Sequence, residues 1–435
     1  MIYLLFFVLL ILMMCSYFFS NRDVSSPSVL FSFSFVFMTF IASIYAEQLD
    51  LIEFDKVFWV VFGGVFEFCA VCWLIKFFST KFKKKTTITD TSSEGNVKEI
   101  YVNNIIKLFV LLIEMLTAFA SVFYIKKLTG ISNYSEAVEA YRYAKLFTTD
   151  SGYNFPRWLG WIELFTKAMG YWFSYVLINN YLASKKIDII ALLDVVAFNI
   201  YSLTGGGRTE TINLLCAILV MYLILKNKKT RKIDKIHFTS IIKFIIIICL
   251  LLLAFKSSAT IFGRNVDEYY ILKYCGAEIK NLEVYLNNPH NNFSSMWGSQ
   301  TFFSIIRTIG PKFGMKNTFY NLDIPYVMYN GINLGNVYTT FYSFIYDFGY
   351  WGEVILVLLM AIISQVLYQK SYKKFNNELQ PIFLLIYGYF SGTLVLSFFS
   401  NKFYERISLQ FIYIVIIWIF AQIFFTKKYI FNKNS

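Results

Sequence analysis

Arg142, Arg157, Arg208, Arg264, Arg307 and Arg406, six of the eight arginines, stand in polar intervals on one side of a chain otherwise built from apolar runs. Lysine does nearly all the basic duty on the other side. A guanidinium is always charged and presents a planar fork of donors, which suits it to two-point contact with phosphate or carboxylate. Arginines reserved for one side therefore point to an anionic ligand there. The sharpest local pattern is SLTGGGRTETI, residues 202–212, where Gly205, Gly206 and Gly207 end one apolar run and Arg208 opens the next. Glycines let backbone N–H groups come close to a ligand, and a helix amino terminus favours an anion. The same residues also suit a tight helical hairpin whose arginine reaches up to lipid phosphates. The sequence leaves both readings open, but it excludes a P-loop, since no G-x-x-x-x-G-K-[ST] run is present.

Four further places carry charge where charge is costly or exposed. Arg264 lies in FGRNVDEYY (262–270) beside Asp267 and Glu268, which is either an ordinary helix exit or part of a site. Arg307 sits in SQTFFSIIRTIG (299–310), on a helix otherwise apolar, where an unpaired charge is expensive unless it faces a cavity. Asp347 lies in an aromatic, glycine-bearing approach to a span (336–360), as an edge base or an arginine partner. Arg406, with Glu405, lies in NKFYERIS (401–408). The two histidines, His237 and His290, have no companion ligands, so no metal site is expected, and His290 in NNPHNN reads as a solvated loop residue. Cys69 and Cys72 form a C-x-x-C inside an apolar run with no second pair, which reads as membrane helix rather than redox or metal chemistry. Tyrosines, phenylalanines and a tryptophan crowd 263–337; rings stack on sugars, but they also fill interfacial belts.

The elements that must position these residues follow from composition. At 57% hydrophobic, 20% aromatic and 15% charged, with a mean hydropathy of +0.54, the chain is not an ordinary soluble domain. The net charge of +13 does not imply nucleic acid, because most lysines flank apolar runs and are explained by topology. Eleven apolar runs long enough to cross a bilayer as helices fall at 2–20, 28–46, 57–78, 105–125, 159–182, 187–204, 209–226, 239–262, 338–369, 381–400 and 407–426. The first has no basic flank or small-residue cleavage site and reads as a retained helix. The ninth is too long for one straight crossing. Lysine-rich KFKKKTTITDTSSEGNVKE and the segments at 185–186, 226–235, 369–378 and the tail fall on the inner side by alternation. Two segments on the arginine side exceed mere connectors: 126–158, with a helix expected over Ser135–Phe147 capped by Ser132, and 263–337. In the latter, NVDEYYILKYCGAEIKNLEVYL predicts one amphipathic helix of about six turns. The whole of 1–435 reads as a single polytopic, all-α membrane domain.

Taken together, TGGGRTETI after a span (204–212), GRNVDEYY leading into KYCGAEIKNLEVYL (263–286), TFFSIIRTIG (301–310) and NVYTTFYSFIYDFGYWGEVI (336–355) resemble the Wzy-type O-antigen or oligosaccharide repeat-unit polymerases. The resemblance covers nearly the whole chain through short, degenerate motifs, and this chain departs from some members in having no R-x10-G in either loop. It implies a multi-helical fold of the GT-C, integral-membrane glycosyltransferase kind in a bacterial cytoplasmic membrane. It also implies glycosyl transfer between undecaprenyl-diphosphate-linked oligosaccharides at the outer leaflet, alongside a flippase and a chain-length regulator, with no cofactor. On that reading Arg208, Arg264 and Arg307 hold the diphosphate, Arg142 and Arg406 add contacts, and Asp347, Asp267 or Glu268 takes the acceptor proton. An O-antigen ligase shares the fold and chemistry. A lipid-linked saccharide transporter would need the acids within spans, Glu67, Glu114 and Asp194, to line a polar path. A structural partner of an export complex would need no individual arginine.

Overall fold

A computed structural model describes residues 1–51, 55–83, 97–147, 151–230, 250–262, 264, 266–290, 298–314, 322–373 and 379–426. The expected lysine-led loop at 84–96, the first half of the eighth run, much of the 226–235 and 369–378 segments and the tail from 427 lie outside these residues. The chain is nearly all helix, 76% helical. Among the described residues six helices are long and apolar enough to cross a membrane: α1 (Ile2–Phe19), α2 (Pro27–Ile44), α3 (Asp55–Lys83), α4 (Asn104–Thr129), α8 (Thr209–Thr230) and α13 (Thr340–Ser371). Shorter apolar helices are α7 (Ile189–Leu203), α9 (Leu250–Phe262 as described), α14 (Pro381–Val395) and α16 (Leu409–Phe424). Helix α6 (Arg157–Ser184) is as long as the spans but carries Glu163, Lys167, Asn179 and Asn180.

The solvent these helices expect is visible in α4. From Ile105 to Phe123 its exposed residues are apolar, with Ile105, Phe109, Leu112, Leu116 and Phe119 outward. Over the same stretch its polar residues, Lys107, Glu114, Thr117 and Ser121, turn inward. That is the reverse of a water-facing helix and is what lipid demands. Helix packing runs from α1 and α2 through α3, α13 and α14 to α8, then α6, α7 and α4, with α16 against α6. Proline at the first turn of α2 and α14 fits the positions where a missing N–H costs nothing. At one end of the bundle, Asp23 accepts hydrogen bonds from Ser25, Tyr368 and Tyr372, tying the α1–α2 turn to α13. There too Asn179 and Asn180 hold the backbone of Lys98 and Ile100.

The opposite end carries the intervals predicted to share one side. The Lys56 ammonium reaches the Leu286 carbonyl (3.3 Å), Tyr134 the Thr204 carbonyl (3.0 Å), and Asn401 the Thr301 carbonyl (2.9 Å). Here α5 (Tyr134–Phe147) forms as expected, but its cap is Asn133, whose Oδ1 accepts from the Ser135 amide, rather than Ser132. The expected six-turn amphipathic helix is broken into α10 (Tyr270–Cys275) and α11 (Ala277–Asn287). The break falls at Gly276, where a Cβ would stand 3.0 Å from the Ala42 amide, so the end of α2 approaches too closely for a continuous helix with a side chain there. Helix α12 (Phe303–Ile309) stops at Gly310-Pro311 as the sequence signals, and α15 (Lys402–Arg406) precedes α16. A two-stranded hairpin, β1 (Val327–Tyr329) with β2 (Ile332–Gly335), departs from the all-α expectation. Its turn residues Asn330 and Gly331 both have positive φ (48° and 75°), the Asn-Gly chemistry of a tight hairpin that was present in the sequence. The over-long ninth run is a single helix α13 broken at Gly349, where φ is 69° and ψ −166°.

Candidate functional site

A cavity of about 920 Å³ opens at this end, walled by α5, α6, α7, the glycine turn, the start of α8, α10, α12 and the segment around β2. Arg142, Arg264 and Arg307 line it together with Lys167 and Lys273. These five cations come from five separate stretches of chain. Arg142 has no hydrogen bond or ion pair among the described residues; burial, then the neighbouring Arg264 charge, lowers its pKa below the usual guanidinium range. Arg264 donates from Nη1 to Tyr274 (2.8 Å) and from Nη2 to the Gly206 carbonyl (3.1 Å), and its Nε is left unpartnered. Arg307 is exposed and lies over Phe303 at 5.8 Å. Lys167 and Lys273 are paired with Glu210 and Asp267, whereas Arg142, Arg264 and Arg307 have no carboxylate partner among the described ion pairs; like charges so placed make a preorganised anion site.

The glycine turn divides its work. Gly205 and Gly207 line the cavity. Gly206 has φ +70°, and a Cβ there would meet Val138 Cγ1 at 2.4 Å and Arg142 Cδ at 3.0 Å. Its carbonyl holds Arg264, so this residue packs α5 against the turn and aims one arginine.

Arg208 and Arg406 do not line the cavity, and both are buried with partners. The Arg208 guanidinium lies 3.5 Å over the Phe255 ring and donates to the Phe255 carbonyl, Ser258 Oγ (3.4 Å) and Tyr270 Oη (2.5 Å). It therefore ties the start of α8 to α9 and α10; burial lowers its pKa below the usual guanidinium range while the Tyr270 hydroxyl opposes that. Arg406 donates to Glu210 Oε1 (3.2 Å) and lies 4.0 Å over Tyr389. Burial alone would lower its pKa, but Glu210 holds it well above the usual guanidinium range.

The three acids expected to take a proton also stand outside the cavity wall. Asp347 accepts from the Gln300 amide (3.1 Å) and the Thr301 amide (2.6 Å), fastening the turn before α12 to α13. Asp267 is exposed and paired with Lys273, and Glu268 is exposed beside Tyr269. The carboxylates that do line the cavity are Glu139, Glu163 and Glu210. Glu210 is engaged by Arg406, Lys167 (3.0 Å) and the Tyr171 hydroxyl (2.7 Å). Glu163 accepts from Ser121 Oγ (3.3 Å) and interacts with the Tyr201 hydroxyl.

Sequence reasoning missed Glu163 and Lys167, although the signal existed: two charges four residues apart inside an otherwise apolar, aromatic run. His290, expected in solvent, sits against Tyr285 and 4.0 Å from Asp323, whose carboxylate also accepts from Tyr346 (2.6 Å). No protein-family model, no curated protein and no solved structure matches this chain significantly.

Proposed function

We propose that this chain polymerises undecaprenyl-diphosphate-linked oligosaccharide repeat units into a surface polysaccharide, O-antigen or capsule, at the outer face of a bacterial cytoplasmic membrane. The observation that carries the reading is the convergence of Arg142, Arg264 and Arg307 on one cavity with Glu163 on its wall. The diphosphate leaving group of the donor chain gains charge as the anomeric bond breaks, and arginines stabilise that charge without needing a metal. The acceptor sugar hydroxyl attacks the anomeric carbon and gives its proton to Glu163, and the tyrosines around the cavity, Tyr201, Tyr270, Tyr274 and Tyr326, offer rings and hydroxyls to the glycans. On this reading the eleven apolar runs all cross the membrane in a GT-C-type fold, with the cavity facing the periplasm or the cell exterior.

The test is polymerisation of purified lipid-linked repeat units by protein in liposomes, read as a glycan ladder with and without chelator. Arg264→Ala and Arg142→Ala should each shorten the ladder through a roughly 100-fold or greater loss in rate, and chelator should leave it intact. Folded wild type giving no ladder would sink the reading. A second reading, transport of lipid-linked saccharide, is favoured by Glu114 and Asp194, which are fully buried between α4 and α7. Movement of labelled lipid across the bilayer with no ladder would select it.

A further inference from the structure

Glu114 on α4 and Asp194 on α7 are both 0% exposed, and none of their four carboxyl oxygens has a hydrogen-bond partner among the described residues. The two groups are within electrostatic reach of each other, and α4 packs on α7. An ionised carboxylate with no donor in so apolar a place costs several kcal/mol or more, so the pair as built asks for a bound cation or for protons. No ammonium or guanidinium is paired with either acid among the described residues. The cations and acids around them are few. Asp188 and Lys107 form an ion pair at the end of the bundle remote from the cavity and act electrostatically on Asp194. At the near end α6 presents Glu163, α7 Tyr201, and α5 Glu139 and Arg142.

The pair also lies on a line. The inward face of α4 reads Lys107, Glu114, Thr117, Ser121, which spans about 20 Å at the rise of an α-helix. Thr117 Oγ1 lies 3.2 Å from Thr166 Oγ1, and Ser121 Oγ donates to Glu163, which lines the cavity.

We infer that Glu114 and Asp194 form a proton-binding site inside the membrane domain, between α4 and α7. The pair alternates between two bound protons and one; the loss of a proton leaves a single negative charge shared between them. The proton site does not rest on the glycosyl-transfer reading.

The experiment is infrared difference spectroscopy of the full chain in lipid over pH 5 to 9, following the C=O stretch that only a protonated carboxyl shows. Wild type is compared with Glu114→Gln and Asp194→Asn, each isosteric and neutral. A titrating band should be present in wild type, and each variant should remove its own contribution and shift the midpoint of the partner, since coupled groups titrate as a pair. If neither variant folds, carboxyl-labelled aspartate in wild type decides. Among the described residues Asp194 is the buried aspartate with both carboxyl oxygens unpartnered, so a labelled band that still titrates in Asp347→Asn belongs to it. A spectrum unchanged in both variants, a pair that stays protonated throughout, or a response to sodium instead of pH would each overturn the proposal. Because no sugar is present, failure here leaves the ladder experiment untouched, and failure of the ladder leaves this result standing.

Discussion

At the scale of single residues, the arginines split into two groups by what their guanidinium already holds. Arg142 and Arg307 are free to meet a ligand among the described residues and Arg264 meets the same cavity, whereas Arg208 and Arg406, each like Arg264 with one unpartnered nitrogen, lie outside the cavity wall and hold the fold. Arg406→Ala should therefore lower stability by about 1–3 kcal/mol, because Glu210 loses one of its three partners and keeps only Lys167 and Tyr171. Thermal unfolding in detergent would show a lowered Tm, and partial recovery is expected in Arg406→Ala combined with Glu210→Gln. Glu163→Gln should behave oppositely, with normal Tm and chain growth reduced roughly 100-fold or more. Asp347→Asn should leave the rate of the folded fraction nearly unchanged but open the 298–314 segment to protease, since it loses two charge-assisted bonds to backbone amides.

The elements show where close approach sets the chain's options. Gly206→Ala combines a left-handed backbone with a collision into Val138, and should cost about 1–3 kcal/mol and misplace Arg264. Gly207→Ala has open space around it and should leave stability within about 0.5 kcal/mol of wild type. Equal loss of stability in both would remove the special role of Gly206. Helix α11 supplies a pH test of its packing. Glu278 is wholly buried there with both oxygens unpartnered, and burial pushes its carboxyl well above the ordinary 4.5. The folded state thus keeps a proton that the unfolded chain gives up. The associated stability is fully present below about pH 4.5 and is lost as pH rises toward the folded value. Glu278→Gln should flatten the fall in Tm between pH 5 and pH 8, and an unchanged pH profile would show that the carboxyl is solvated.

For the whole molecule, the prediction concerns sidedness. In a cysteine-free background, Lys312→Cys, at the cavity end, should react with a membrane-impermeant thiol reagent in intact cells. Lys186→Cys, at the other end, should react only after permeabilisation. Both lysines are exposed, so access depends on the membrane alone. The reverse pattern would put the cavity on the cytoplasmic side and exclude a site acting at the outer leaflet.

Apolar runs, their lengths and the flanking lysines are local properties, so the sequence alone determined that this is a helical membrane protein and which intervals gather at one end. The Asn330-Gly331 hairpin and the Glu163–Lys167 pair were equally local and could have been read. What only the tertiary structure decided is which charges are spent. Arg208 and Arg264 look alike along the chain, yet Phe255 and Tyr270 take one while the Gly206 carbonyl holds the other at the cavity. Those partners lie tens of residues away, and pairing across such separations is fixed by how helices pack. Glu114 and Asp194 likewise meet only because α4 packs on α7, 80 residues apart in sequence but adjacent across an apolar interface.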